Sequence, residues 1–251
     1  MFPFPSIPSR GYACDAAEFD GTNDYLLRGG ALTGVASSKM FTLAMWIDST
    51  VTGAEQRLFV SADPAGGTNS VLNIRKNSTD KLEILGENAA TTPILDLQTF
   101  SGIPAGWTCI LCSLDMADTG KRNIYFGDAD QTFATGIYTN DTLDFVSADW
   151  VVGARGDGGL KYTGGLANLM FWPGVYTDFD VQANRRLFIT SAGKAANPAA
   201  AHAVLGPPAV CLGLQENETA NNFALNDDIG ATGGAFTVTG ALTTYASSPS
   251  D

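Results

Sequence analysis

The sequence predicts an all-β fold, an antiparallel β-sandwich with one or two short helices. Three observations carry this. Apolar and polar positions alternate in several short runs: Phe41, Leu43, Met45 and Ile47 fall on one side, Thr42, Ala44 and Trp46 on the other. That period of two puts successive side chains on opposite faces of a sheet. Turn signals recur between the runs, as in Asp63-Pro64-Ala65-Gly66-Gly67, Asn77-Ser78-Thr79-Asp80, Asp118-Thr119-Gly120 and Gly156-Asp157-Gly158-Gly159. The composition agrees, because 28 glycines with 45% hydrophobic and only 16% charged residues describe a folded chain rich in tight turns.

Each element follows in order. Residues 1–12 read as an extended arm, since Pro3, Pro5 and Pro8 hold it near polyproline geometry. Phe2, Phe4 and Ile7 cannot be buried by so short a segment and are expected to dock on this domain or on a neighbouring chain. They are the candidate partner-binding residues. Strands are expected near 17–20, 24–28, 41–49, 56–61, 70–75, 81–86, 93–97, 107–115, 121–127, 149–154 and 162–172. Half-buried strands of this kind fit antiparallel sheets packed face to face.

A helix is expected over 178–189 with Asp178 as its N-cap, and a second over the alanine-rich stretch 197–204 ahead of Gly206-Pro207-Pro208. Two further strands, 210–214 and 234–242, make residues 191–251 a C-terminal extension packing on the sandwich of residues 13–190 or on a neighbour. The core is expected from Phe19, Phe41, Leu43, Met45, Ile124, Phe126, Val151, Leu169 and Phe171.

The net charge of −12 repels a phosphate backbone, which removes nucleic acid from the partner list. No run approaches the roughly 18 apolar residues of a membrane span. The proline-broken N-terminal segment lacks the charged and apolar regions of a signal peptide, so synthesis in a cytoplasm without one is expected. Cys109 and Cys112 lie three apart on one strand and so point to opposite faces, while Cys14 and Cys211 are isolated. Buried thiols are expected at all four positions, with neither disulfide nor metal.

Four motifs recur together in one order: Phe19-Asp20-Gly21, the strand around Trp46, the Trp107 strand followed by Asn123-Ile124-Tyr125-Phe126-Gly127, and Tyr162 to Trp172 leading into a short helix. Over roughly residues 13–190 the chain resembles the concanavalin A-like, or laminin G-like, jelly roll. The resemblance implies binding or assembly in place of catalysis. The stretch Asn221 to Leu242, with Gly233-Gly234-Ala235-Phe236-Thr237, resembles the tail of sandwich proteins from tailed-bacteriophage virions. It departs from that pattern at Asp228 and Ile229, where an asparagine is frequent. It implies a non-enzymatic structural or decoration protein of the capsid exterior or tail. Such a protein would be made in the host cytoplasm and contact other virion proteins or further copies of itself. The alternatives are a carbohydrate-binding host-recognition module and, third, a glucanase-type glycoside hydrolase.

The chemistry-bearing residues are few. His202 is the single histidine, which leaves no triad or multi-histidine zinc site to assemble. Glucanases of the resembled fold carry Glu-x-Asp-x-x-Glu on one strand, and the nearest run here, Lys81 to Leu85, offers one acid, Glu83. No catalytic residue is assigned. Asp20, Asn23 and Asp24 are the candidate calcium ligands, hard oxygen donors at a sheet rim, although Asp-Gly and Asn-Asp are also ordinary turn chemistry. No other cofactor is expected. Trp172, at the end of its strand before Pro173, is the candidate platform for a cell-surface sugar. Arg155-Gly156-Asp157 spells an adhesion tripeptide but reads as a hairpin turn.

Overall fold

The computed structural model describes residues 12–62, 70–146, 149–216 and 218–250, so Phe2, Phe4 and Ile7 lie outside the described residues. In chain order the strands begin with β1 (Cys14–Asp15), β2 (Ala17–Asp20), β3 (Tyr25–Gly29), β4 (Met40–Ser49), β5 (Gln56–Ala62) and β6 (Ser70–Lys76). They continue with β7 (Lys81–Glu87), β8 (Pro93–Gly102), β9 (Thr108–Asp115), β10 (Arg122–Phe126), β11 (Ala129–Asp130) and β12 (Phe133–Tyr138). The last are β13 (Asp149–Val152), β14 (Thr163–Pro173), β15 (Val210–Leu212), β16 (Leu214–Gln215), β17 (Thr237–Thr239) and β18 (Thr243–Thr244).

Among the described residues these strands form two antiparallel eight-stranded sheets and one small pair, β1 with β16. The back sheet runs β11-β10-β9-β4-β14-β2-β18, with β15 added on β14, and the front sheet runs β12-β8-β7-β6-β5-β13-β3-β17. Between them lies one apolar interior built from residues such as Phe41, Phe59, Ile84, Ile110, Trp150 and Phe171. The alternation sorts side chains as expected: Phe41, Leu43, Met45 and Ile47 join that interior, while Ala44 and Trp46 face outward into a second apolar cluster. Ile124 and Phe126 point inward and Tyr125 outward by the same rule.

Val151 departs from expectation. It packs with Ala154, Tyr25 and Leu27 in a third cluster on the front sheet's outer side. Its neighbours in sequence, Trp150 and Val152, take the interior, and strict alternation along β13 turns Val151 the other way. The first helix is also shorter than expected, a four-residue turn α1 (Gln182–Arg185) capped by Val181. Asp178 instead accepts the Asp180 N–H in a local turn, and Phe179 and Phe188 are buried as anchors of an irregular segment. The second helix, α2 (Pro198–Leu205), starts where expected, with the Asn197 side chain accepting the Ala199 N–H at 2.9 Å.

The chain beyond β14 covers the back sheet. Phe179, Phe188, Ile189 and Ala201 close over Trp46, Leu111, Met170 and Trp172. β15 pairs with β14, β17 with β3 and β18 with β2, so the last sixty residues run back onto strands from the start of the chain. The stretch from Asn221 to Leu242 is tied to the sheets by hydrogen bonds. Asn226 accepts the Cys211 N–H at 2.6 Å and donates to the Ala209 and Gly234 carbonyls, and the Phe236 N–H bonds the Ala224 carbonyl. No helix among the described residues is long and apolar enough to cross a membrane.

Candidate functional site

With the back sheet's outer face covered, the front sheet is the one that meets solvent. Along β7 burial alternates residue by residue, from Lys81 to Glu87. Leu82 and Ile84 point inward, so Glu83, Leu85 and Glu87 point outward. The cross-strand register places the outward residues in two rows. One row runs Val60, Asn73, Leu85, Asp96 and Ile137 across β5, β6, β7, β8 and β12. The second runs Arg57, Arg75, Glu83 and Gln98 across the first four of these strands.

Where the rows meet, a groove of about 260 Å³ opens between Arg57, Asn73, Leu85, Glu87, Asp96 and Ile137. Its chemistry is unusual for a surface. Arg57 is 5% exposed and Asn73 4% exposed, positions where polar groups ordinarily find a partner. Among the described residues, four side chains bury a polar atom without a hydrogen bond: Arg57, Asn73, Glu87 and Trp150. The first three line this groove, and Trp150 belongs to the interior. Arg57 Nη1 lies 2.7 Å from Glu55 Oε1, close enough for an ion pair, but neither it nor Nε makes a directed hydrogen bond.

Arg75, by contrast, is paired, with Nη1 donating to Glu55 at 2.7 Å and Nε to Glu83. Burial, and next the charge of Arg75, lower the Arg57 guanidinium to about 10. Burial pushes the carboxyls of Glu87 and Asp96 up, and the Glu83 charge adds to the rise at Asp96. Gly136 lets the edge strand β12 cross close over Asp96, because a Cβ there would sit 2.5 Å from Asp96 Oδ2. The groove therefore presents guanidinium donors, an amide acceptor and carboxylates beside two aliphatic side chains.

Three hollows are larger, about 380 Å³ beside Trp172 and Pro207, about 500 Å³ beside Trp107 and Asp128, and about 270 Å³ beside Asn88 and Asp141. None of the three is lined by a side chain with an unpartnered buried polar atom, so none matches the front groove as a ligand site.

The residues singled out by sequence fall elsewhere. Trp172 does not form an exposed platform: it is 2% exposed, donates from Nε1 to the Gly206 carbonyl at 2.9 Å and meets Phe188 edge-on. The covering segment after β14 removes it from solvent. Asp20 Oδ1 accepts the N–H groups of Thr22, Asn23 and Asp24 at 2.7, 3.0 and 3.2 Å. Burial raises the Asp20 carboxyl, but these bonds together outweigh it and hold the carboxyl low. Asp24 accepts from the Asp20 and Ala241 N–H groups. Those oxygens fix the turn, and no group of three or more acid, histidine or cysteine side chains among the described residues is placed to hold a metal ion.

Arg155 and Asp157 bond each other within their own turn, and the four cysteines are buried without disulfides. The front groove itself was missed because the acid search stopped at Leu85. The strand runs two residues further, and Glu87 is a second outward acid four positions after Glu83.

Two solved structures share this architecture. One is a candidate carbohydrate binding protein of Bacteroides ovatus, similar at a TM-score of 0.60 and 15% identity over 94% of this chain. This chain spans 61% of the length of that protein. The second is a native heptameric SAP-like pentraxin of Limulus polyphemus, at a TM-score of 0.54 and 12% identity over 92% of this chain and 94% of its own. The likeness shows the fold, an antiparallel β-sandwich of the jelly-roll type. No family model and no curated protein sequence matches the chain.

Proposed function

We propose that this chain is a non-catalytic, carbohydrate-binding module whose ligand lies in the front-sheet groove. One observation carries the reading: three side chains with unpartnered buried polar atoms, Arg57, Asn73 and Glu87, converge on one open groove. Leaving a buried donor or acceptor unsatisfied costs about 1–3 kcal/mol. A fold that gathers three such groups at one place gains from them when a ligand supplies the missing partners. Saccharide hydroxyls donate and accept, and sugar C–H faces pack on aliphatic carbon, as offered by Leu85 and Ile137. The description of the Bacteroides ovatus relative supports the same class.

Isothermal titration across a saccharide panel tests the proposal. Asn73→Leu removes the amide and is expected to lower affinity by about tenfold or more without lowering the melting temperature. Equal affinities for wild type and variant would place the ligand elsewhere. Release of reducing ends from any panel member would return the glycosidase reading. Glu83 and Glu87 share a strand face, but Leu85 stands between them where the glucanase pattern has its middle acid.

A second reading places the same module on a tailed-phage particle as a decoration or tail protein that recognises the host surface. The likeness of Asn221 to Leu242 to virion tails supports it. Its test is incorporation of a chain lacking residues 1–12 into particles, where normal incorporation would count against a role for Phe2, Phe4 and Ile7.

A further inference from the structure

The inference drawn here rests on the carbohydrate reading and names the ligand class. We propose that the front groove selects an uncharged saccharide through vicinal hydroxyls, and that its carboxylates exclude anionic sugars.

Count the charges that face the groove. Two guanidiniums, Arg57 and Arg75, and two carboxyls, Glu87 and Asp96, line it, and Glu55 and Glu83 pair with the guanidiniums from beside it. Arg75 is held by Glu55 and Glu83, and its bonding capacity is directed at them. Arg57 keeps its ion pair with Glu55, but its buried Nε and Nη1 make no directed hydrogen bond. An anionic sugar would reach Arg57 only by bringing its charge against Glu87 and Asp96. Those carboxyls already resist ionisation because they are removed from water. Like charges in a poorly solvated groove repel strongly.

A cationic amino sugar meets the opposite difficulty. The unpartnered Arg57 N–H groups require acceptors, and an ammonium group provides none. A hydroxyl answers both needs, since it accepts from Arg57 while donating to Asn73 Oδ1 or Glu87 Oε2. Two adjacent hydroxyls on one pyranose ring span such a mixed set. Asn73 and Leu85 are direct cross-strand neighbours, as are Leu85 and Asp96, and Asp96 and Ile137. Leu85 and Ile137 thus flank the polar positions as an apolar wall for the C–H face of the ring. The groove's 260 Å³ is the space of roughly nine waters at about 30 Å³ each, suited to a single ring.

The test titrates the full chain with uncharged mono- and disaccharides (hexoses, lactose, maltose, cellobiose), with sialyllactose and galacturonate dimers, and with glucosamine dimers. Each is measured at about 50 and about 500 mM salt. The expected result is binding of an uncharged sugar that salt leaves unchanged. Glu87→Gln weakens it by about tenfold, because one acceptor with charge is lost. The double variant Glu87→Gln, Asp96→Asn is expected to gain about tenfold or more for an acidic sugar, since it keeps the shape and removes two charges. Circular dichroism melts confirm that both variants fold.

Tightest binding by an acidic or an amino sugar overturns the inference and leaves the carbohydrate reading standing. Failure of every saccharide overturns both. Binding of an uncharged sugar that neither variant alters moves the ligand away from this groove and overturns the inference as well.

Discussion

The two sheets bury their inner faces in the same way and treat their outer faces in opposite ways. On the back sheet, β9 is buried along its whole length and β4 through most of its own, and the outward side chains Ala44, Trp46, Leu111 and Met170 disappear beneath the segment after β14. On the front sheet, β7 alternates buried and half-buried residues, and its outward row mixes Asn73, Asp96 and Glu83 with Leu85. Strands buried on both faces read as continuous apolar runs, and strands buried on one face alternate. The C-terminal extension thus decides which sheet is available to a ligand. The chain after β14 covers the back one, and among the described residues the unsatisfied buried polar atoms outside the interior belong to the front one.

Stability and binding should separate along that division. Trp172→Ala removes a buried ring from the covered face together with its bond to the Gly206 carbonyl, and a loss of about 3–5 kcal/mol in urea unfolding is expected. Leu85→Ala, at a half-buried position of the open face, is expected to cost about 1 kcal/mol. Near-equal losses would mean that the covering segment contributes little to the fold.

Arg57→Met provides the opposite signature. It replaces a buried guanidinium, whose Nε and Nη1 lack hydrogen-bond partners, by an apolar chain of similar length. Burying a guanidinium without hydrogen-bond partners is costly, and Glu55 keeps Arg75 as its ion-pair partner, so the exchange is expected to be neutral or stabilising by roughly 1 kcal/mol. Saccharide binding should be abolished while the melting temperature holds or rises. A variant that binds normally, or one that unfolds, would show that Arg57 belongs to the scaffold.

Much of this contrast was legible in the sequence. The alternation of Phe41 to Ile47 assigned both faces of β4, and the spacing of Cys109 and Cys112 placed one thiol outside and the other inside. What escaped was the partner of each outward face. Trp172 reads as exposed because Pro173 ends its strand, and only the return of Phe188 across the sheet buries it. β12 escaped because Ala134, Thr135 and Gly136 make an exposed edge strand with no apolar period to detect. The groove is assembled from four neighbouring strands and an edge, and Arg57 and Asn73 meet there through register alone. Distances along the chain do not encode such a meeting; only pairing does.

The smallest effect distinguishes the two regions by pH. Burial raises the Glu87 carboxyl above its ordinary value, in a groove it shares with Arg57, Arg75 and Asp96. A carboxyl raised in the folded state binds its proton more tightly there than in the unfolded chain. Its favourable contribution is complete below the unfolded value and is lost as pH rises through the folded one. Asp157 has the opposite sign, because its hydrogen bond from Arg155 draws its carboxyl down to about 2. Its contribution is present above the unfolded value and is lost as pH falls. Glu87→Gln cannot ionise, so its unfolding free energy should gain on that of wild type as pH climbs through and past the carboxylate range. Asp157→Asn should lose ground over the same climb. Urea unfolding of all three proteins at a series of pH values measures both slopes. Parallel curves for wild type and Glu87→Gln would mean that Glu87 is as well solvated as a surface acid, and the groove would lose one of the three polar groups that set it apart from the rest of the sheet.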